Sequence, residues 1–266
     1  MRRLAVVLPM YNEADNVAAL VQRLAAVRAT AGLDLTAIAV DDGSRDATAS
    51  RVAEAAERYP FVRLIRHDRN RGMAGALRTG IAAALAERSP AFEAVAFMDA
   101  DLTHAPEDLP RLVAPILIEE RADFVLGSRY VPGGGMRGVP LARRAISVLG
   151  NHLARRLLCV PVGDLTSGFR AARTSVLRAI RLEEDGFGIQ LEGSVKTYRA
   201  GFRVVEVPIT LGVRKNGYSK MAYTRAFWLG YGRLLVRLSL QRHVVDLPAA
   251  THYAEAEDPQ GRRAAL

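Results

Sequence analysis

The chain carries a single cysteine, Cys159, among its 266 residues, so no intrachain disulfide can form and nothing marks an oxidising compartment. Within the apolar run Leu157-Leu158-Cys159-Val160, that thiol reads as a small core residue. Long apolar runs are missing too. The longest stretch without Asp, Glu, Lys or Arg is Ala145–Ala154, ten residues, against the roughly 20 that a membrane-spanning helix needs. Met1-Arg2-Arg3-Leu4 leads directly into a strand pattern with no small-residue cleavage site, which speaks against a signal peptide. No Gly-x-Gly-x-x-Gly follows that first strand and no Gly-Lys-Ser/Thr occurs, which disfavours a dinucleotide fold and a phosphate-binding P-loop. Acid is absent locally. Phe124–Gly163 contains six arginines, and Val207–Val245 five arginines and two lysines, with no Asp or Glu in either segment. The net charge is +9. Such segments suit an anionic partner: a phosphorylated substrate, an anionic membrane surface or nucleic acid. Nucleic acid is not expected, because no helix-turn-helix, zinc pattern or aromatic RNP-like strand is present.

Half of the residues are hydrophobic and 24% are charged, the composition of a globular protein long enough for a substantial α/β core. Apolar runs at Leu4–Leu8, Leu35–Val40, Val62–Arg66, Ala94–Met98 and Phe124–Gly127 read as strands. Helical patterns lie between them, over Val17–Leu24, from an N-cap at Asp46 through Arg58, over Gly72–Glu87 and from Pro106 onward. Strand and helix alternate at βαβ spacing, so a mainly parallel sheet flanked by helices is expected. After the glycine-rich loop Val131–Gly135, Leu141–Leu158 reads as a two-faced helix. Ile146, Leu149, Leu153 and Leu157 form one stripe, and Arg144, Ser147, Asn151 and Arg155 the other. Arg203–Ile209 reads as a late strand. Tyr223–Arg242 reads as an amphipathic helix, with Phe227, Trp228, Tyr231, Leu234, Leu235 and Leu238 on one side.

The early strands end in polar or acidic residues: Tyr11 and Glu13, Asp41 and Asp42, Asp99 and Asp101, then Arg129. In a parallel sheet these share one edge, the crevice where open α/β sheets bind ligands. Asp99-Ala100-Asp101 stands out, because its two carboxylates offer hard oxygens to Mg²⁺ or Mn²⁺. Mg²⁺ prefers one or two protein carboxylates plus substrate phosphates, and a metal there can neutralise charge on a departing diphosphate.

Pro9-Met10-Tyr11-Asn12-Glu13, Asp41-Asp42-Gly43-Ser44, Asp99-Ala100-Asp101 and Ser128-Arg129-Tyr130 resemble the family 2 glycosyltransferases of the GT-A fold, a Rossmann-like α/β architecture. Asp164–Arg170 (DLTSGFR), Gly201–Ile209 (GFRVVEVPI), Arg214 and Ser219-Lys220 narrow the resemblance to the polyprenol-phosphate (dolichol-phosphate) mannosyltransferase subgroup. It runs from about Leu4 to Tyr223. The resemblance implies nucleotide-sugar binding by Pro9, Tyr11, Glu13, Val40 (through its backbone), Asp42, Asp99, Ala100, Arg214 and Lys220. Asp41 is the alternative to Asp42, or a turn former with Gly43. The metal falls to Asp99 and Asp101, and the catalytic roles to Asp101 and Arg129. The acceptor phosphate falls to Arg129, Arg137, Arg143 and Arg144, where an arginine fork can bind bidentately. The donor implied is GDP-mannose, the acceptor polyprenyl phosphate, and the outcome inversion at the anomeric carbon.

A hydroxyl acceptor needs a general base. A phosphate monoester, with its second pKa of about 6, arrives anionic and needs cations that hold it. The Gln-x-x-Arg-Trp signature of processive synthases is absent, and Trp228, the one tryptophan, sits in Ala226-Phe227-Trp228. The alternative reading is transfer from a UDP-sugar to a sugar hydroxyl, with Asp164, or Glu192 behind it, as base. In Gly186–Glu192 (GFGIQLE), many relatives carry a larger residue where Gly188 stands, so a lost contact would come from elsewhere, with Lys196 a candidate. Glu192 also pairs with Lys196 at helical spacing. The division expected is a catalytic domain over 1–220, an amphipathic, membrane-interface helix over 221–245 and a flexible tail over 246–266. The chain resembles the short, catalytic-domain-only type, cytoplasmic and peripheral at the inner face of the membrane, with a membrane-anchoring partner.

Overall fold

The computed structural model describes residues 2–214 and 224–241. In chain order the strands are β1 (Arg3–Met10), β2 (Asp34–Asp41), β3 (Val62–Arg66), β4 (Ala94–Phe97), β5 (Phe124–Ser128), β6 (Gly135–Met136), β7 (Arg170–Arg173), β8 (Val204–Pro208) and β9 (Thr210–Leu211). The helices are α1 (Ala14–Thr30), α2 (Thr48–Arg58), α3 (Gly72–Ala86), α4 (Leu109–Leu117), α5 (Leu141–Leu158), α6 (Thr174–Ala179), α7 (Ile189–Arg199) and α8 (Arg225–Leu240). One 3-10 turn, Pro106–Asp108, opens α4, with the proline at its first position where no N–H is required.

Seven strands form one sheet in the order β3-β2-β1-β4-β7-β5-β8, and β6 pairs with β9 in a small parallel ribbon. The sheet is parallel except for β7, which runs antiparallel to β4 and β5. Both faces are covered, so the central strands are continuously apolar, as buried parallel strands must be. Side chains alternate between the layers. Leu4, Val6, Leu8 and Met10 of β1 pack with α1, α2 and α4. Ala5 and Val7 pack on the side of α3, α5, α6, α7 and α8. The mainly parallel α/β sandwich expected from the sequence is present, with α8 packed on its second face.

The local structure departs from the sequence reading at several points. The segment Arg170–Arg173 is a strand that the pattern does not reveal. Arg-Ala-Ala-Arg lacks β-branched residues, and its small side chains suit a slot closed on both sides by β4 and β5. Helix α2 begins at Thr48, with Ala47 in the capping position. Asp46 stands one residue earlier and still accepts from Thr48 N at 3.0 Å and from Ala14 N at 3.2 Å, bracing the starts of two helices. Cys159 is exposed and not in the core. It ends α5 in the left-handed conformation, with φ 56°. The α5 stripe of Ile146, Leu149, Leu153 and Leu157 faces outward, with Leu149 68% exposed, while Asn151, Ala154 and Leu158 are buried. On α8, read from the sequence as a membrane-interface helix, Leu234 and Leu238 are buried, while Trp228 is exposed with Leu229, Val236 and Leu240.

Gly80 shows how closely α3 approaches β1. A Cβ at this position would lie 2.3 Å from Val7 Cγ1, nearer than side-chain atoms can pass. Gly80→Ala is therefore expected to destabilise the fold by about 1–3 kcal/mol, the scale of core overpacking, read as a lower denaturant midpoint. An unchanged midpoint would mean that α3 sits further from the sheet.

Candidate functional site

Parallel strands deliver their carboxyl ends to one edge, and the loops leaving that edge build the site. Tyr11–Glu13 follow β1, Asp41 and Asp42 close β2, His67 follows β3, Asp99–Asp101 follow β4 and Arg129 follows β5. Because β7 is antiparallel, the segment that enters it, Asp164–Phe169, arrives at the same edge. From these segments Tyr11, Glu13, Asp42, Asp99–Asp101, Arg129 and Thr166–Gly168 line a cleft of about 730 Å³. The chain turns sharply there: Asn12, Gly43 and Leu102 all have positive φ, of 51°, 68° and 62°. At Gly43 a Cβ would also lie 2.6 Å from the Arg69 carbonyl carbon, so the turn requires glycine twice over. Leu102, directly after Asp101, adopts a conformation costly for a branched side chain, which is where functional edges store strain.

One side of the cleft is acidic. Asp42 lines it, and its Oδ1 is paired with His67 Nδ1 at 2.7 Å and accepts from Arg71 N at 2.8 Å. The other ring nitrogen of His67 lies 2.9 Å from Thr79 Oγ1. Asp41 is turned away and fully buried, and its Oδ1 accepts from Ser44 N at 3.2 Å. Of the two aspartates, Asp42 faces the cleft and Asp41 shapes the turn. Glu13 is more than a helix-start charge. It is buried, and it accepts from Asn16 Nδ2 at 2.7 Å and Arg214 Nη1 at 3.1 Å. Arg214 Nη2 also donates to Asp101 Oδ2 at 2.6 Å, so one guanidinium bridges two carboxylates. Asp101 Oδ1 accepts from Thr103 N and Thr103 Oγ1. Asp99 accepts no hydrogen bond among the described residues. Burial in the cleft floor pushes its carboxyl above the usual range; His104 opposes this and adjacent Asp101 adds to it. His104 stacks on Phe169 with ring centroids 5.2 Å apart, and its Nδ1 lies 3.8 Å from Asp99 Oδ2 without a hydrogen-bond partner among the described residues. Burial lowers its pKa, against the pull of Asp99.

The opposite side is basic. Arg129 lies against Asp164, which is fully buried and takes hydrogen bonds from Arg129 N, Nε and Nη2 at 3.0, 2.7 and 2.6 Å. Arg137 is contributed by the β6 end and Arg143 by the first turn of α5. The polar face of α5 forms the wall: Ser147 Oγ meets Tyr130 Oη at 2.7 Å, and Asn151 Nδ2 donates to Thr166 Oγ1 at 3.0 Å.

Of the expected residues, Pro9, Tyr11, Glu13, Asp42, Asp99, Ala100, Asp101, Arg129, Arg137, Arg143 and Arg214 line the cleft. Two do not. Val40 is buried in the ladder between Pro9 of β1 and Ile65 of β3. Arg144 points outward on α5, because one residue is a turn of about 100° away from Arg143. Lys220 and the tail 246–266 lie outside the described residues. Glu192 pairs with Lys196 at 3.0 Å as the spacing indicates, and it also meets Arg237 of α8. Lys196 does not reach the cleft, being bonded to Arg181 O and Glu183. The space at Gly188 is taken by α8, since a Cβ there would lie 2.5 Å from Leu234 Cδ2. His67, His104, Thr166 and Gln190 join the site without having been singled out. His67 carried a signal, because it extends the run of polar residues at strand ends to β3.

Residues 5–181 match the Glycosyl transferase family 2 sequence profile. An undecaprenyl-phosphate mannosyltransferase from Micrococcus luteus is 37% identical over 223 residues, covering 83% of this chain and 88% of that protein. A polyprenol monophosphomannose synthase from Mycolicibacterium smegmatis is 36% identical, covering 83% and 82%. A dolichol-phosphate mannosyltransferase from Pyrococcus furiosus is 34% identical over 82% of this chain and 59% of that longer protein. In fold, the chain is similar to glucosyl-3-phosphoglycerate synthase from Mycobacterium tuberculosis, with a TM-score of 0.64 at 22% identity over 94% of this chain and 81% of that one. With a profile match over well over half of its length and relatives 36–37% identical over more than four-fifths of theirs, the chain belongs to the family 2 glycosyltransferases, on a GT-A fold.

Proposed function

We propose that this glycosyltransferase moves mannose from GDP-mannose to the phosphate of a polyprenyl phosphate, with inversion and with Mg²⁺ or Mn²⁺ bound. The observation that carries the reading is the division of charge across the cleft. Among the described residues the acceptor side offers Arg129, Arg137 and Arg143, and the carboxylate against Arg129, Asp164, is fully buried and occupied by it. A hydroxyl acceptor would need a carboxylate able to take its proton. Asp164 is engaged, and Glu192 is buried between Lys196 and Arg237. A phosphate monoester needs no base. One of its oxygens attacks the anomeric carbon, the bond from that carbon to the diphosphate oxygen breaks, and the electron pair leaves with GDP. The names of the relatives, which are mannosyltransferases of polyprenol-type phosphates, support the same acceptor and sugar.

The nucleotide falls to Pro9, Tyr11, Glu13, Asp42 and Ala100, where carboxylates can accept from a base or ribose. Arg214, held between Glu13 and Asp101, would meet the diphosphate. A divalent ion fits Asp99 and Asp101. Asp99 is a hard oxygen donor that accepts no hydrogen bond among the described residues, and its pKa is raised, chiefly by burial. Among the described residues no three His, Cys, Asp or Glu side chains form a metal cage, and an ion shared with substrate phosphates asks for none. The Mycobacterium tuberculosis synthase was solved with Mn²⁺ and UDP-glucose, which supports a divalent ion here. When bound, the ion supplies counter-charge to the leaving diphosphate.

Such an acceptor is embedded in a bilayer. No described helix is long and apolar enough to cross one. The outward stripe of α5 instead meets the requirements of a surface helix, with Leu149 and Leu153 68% and 59% exposed beside Arg144, Arg155 and Arg156. Basic residues near an anionic leaflet contribute about 1 kcal/mol each. The enzyme therefore docks peripherally at the inner, cytoplasmic face.

Incubating the protein with Mg²⁺ or Mn²⁺, polyprenyl phosphate and radiolabelled GDP-mannose, UDP-glucose or UDP-N-acetylglucosamine in turn tests the reaction. Label is expected in the organic phase from GDP-mannose alone, abolished by EDTA and by Asp101→Ala. Transfer to a water-soluble product, independent of lipid, would overturn the reading. For docking, Leu149→Glu with Leu153→Glu should lower co-sedimentation with anionic vesicles by about tenfold or more, from lost apolar burial, without lowering the melting temperature. Unchanged sedimentation would remove α5 from the membrane interface.

A further inference from the structure

Arg129 is held by a chain of contacts that begins on the edge strand of the sheet. Glu206 lies on β8, in register with Leu126 of β5. Its Oε2 accepts from Gly163 N at 2.8 Å and its Oε1 from Asp164 N at 3.0 Å. A Cβ at Gly163 would lie 3.2 Å from Oε1, so glycine lets the carboxylate come this close. Both oxygens of Glu206 thus grip two successive backbone N–H groups and set where Asp164 begins.

Asp164 then grips Arg129. Its Oδ2 accepts from the backbone N and from Nε of Arg129, and its Oδ1 from Nη2, a bidentate charge-assisted pair with a fully buried carboxylate. The next residues are clamped as well. Leu165 N donates to Asn151 Oδ1 at 3.0 Å, and Thr166 Oγ1 accepts from Arg129 Nη2 at 3.2 Å and from Asn151 Nδ2. A buried carboxylate stripped of its partner is costly, so the guanidinium is committed to one orientation before any ligand arrives. That is how a binding group is preorganised by the residues behind it.

We propose that Asp164 and Glu206 are positioning residues that aim Arg129 at the acceptor phosphate; this rests on the acceptor assigned under the proposed function. The arrangement also divides the work among the arginines. Arg129 spends its Nε–Nη2 edge on Asp164, so that edge cannot fork onto a phosphate. The charge of Asp164 offsets that of Arg129, and Glu206 adds another negative charge behind it. Arg129 therefore acts as an oriented donor, and the net positive charge that attracts a dianion comes from Arg137 and Arg143 on the same wall.

Glu206→Gln tests the relay, because it keeps side-chain shape and Glu206 does not line the cleft. The amide of Gln can accept from only one of the two N–H groups and turns its own NH₂ toward the other. The KM for polyprenyl phosphate should rise about tenfold in Glu206→Gln, the scale of a weakened charge-assisted hydrogen bond. The donor KM, the GDP affinity measured by calorimetry and the melting temperature should hold. The ¹⁵N-resolved Nε–H resonance of Arg129, assigned through Arg129→Lys, should shift in Glu206→Gln. An unchanged acceptor KM overturns the proposal, as does a joint rise of both KM values with a lower melting temperature. If the wild-type protein transfers nothing to polyprenyl phosphate, the acceptor reading falls separately. The relay is then decided by the Arg129 resonance and by inorganic phosphate binding. An Nε–H left in place by Glu206→Gln, or phosphate affinity equal in both proteins, overturns it.

Discussion

The parallel ladder of β1 with β2 and β4 sets the position of everything that faces the cleft. Leu4 stands opposite both Leu35 and Ala94, and from that register Met10 meets Asp41 while Val7 meets Phe97. Strand ends that are far apart in sequence are thereby brought to one edge within a few residues of each other. Side-chain period two makes the register strict. A slip of one residue would turn Leu4, Val6 and Leu8 to the opposite helical layer and move every catalytic-edge residue with them. The close seat of Gly80 on Val7 locks α3 to the same strand. The antiparallel β7 adds the one segment that a purely parallel sheet could not place there, the approach through Asp164–Phe169.

Charge is distributed over that edge in two halves. Glu13, Asp42, Asp99 and Asp101 crowd the side fed by β1, β2 and β4, and Arg129, Arg137 and Arg143 the side fed by β5 and α5. Like charges this close are unfavourable unless something intervenes. Arg214 intervenes for Glu13 and Asp101, and His67 with Arg71 N for Asp42. Asp99 accepts no hydrogen bond among the described residues, and burial pushes its carboxyl up despite the opposing His104 and Arg214. The acidic half is thus complete apart from one carboxylate, and this is the place where a cation supplied with the substrate adds most. On the basic half the logic is reversed: the buried Asp164 keeps Arg129 in place, leaving the outer arginines to set the net charge.

Much of this was legible in the sequence for a physical reason. Buried parallel strands must be apolar throughout, and the polar residues that interrupt them mark their ends, so Tyr11, Asp42, Asp99 and Arg129 could be placed on one edge without coordinates. The limits of α5 were legible too, since Pro140 precedes it and its two-sided pattern runs unbroken to Leu158. What could not be read was direction. A helical pattern separates two faces but does not say which faces inward, and in α5 the polar one does, because Ser147 and Asn151 find partners in Tyr130 and Thr166. Nor could the strand β7 be read, since alanines flanked by arginines carry no strand signature. The role of Asp164 followed it out of sight. A carboxylate near a cleft reads as a base until its partner is known, and that partner lies 35 residues earlier in the chain.

Helix α5 joins the chemistry to the surface. Its inner face completes the cleft wall, and its first turn supplies Arg143. Its outer face leaves Leu141, Ile146, Leu149, Leu153 and Leu157 exposed along the whole of its length. Water alone gives no reason to keep such a stripe outside, and exposed apolar stripes mark surfaces that meet something else. An acceptor whose phosphate must enter the cleft while its chain stays in an apolar phase requires these two environments one helix diameter apart, about 10–12 Å. A single helix with its polar face inward and its apolar face outward meets that requirement. The inverted amphipathicity of α5 is therefore consistent with the basic, carboxylate-poor side of the cleft that it helps to build.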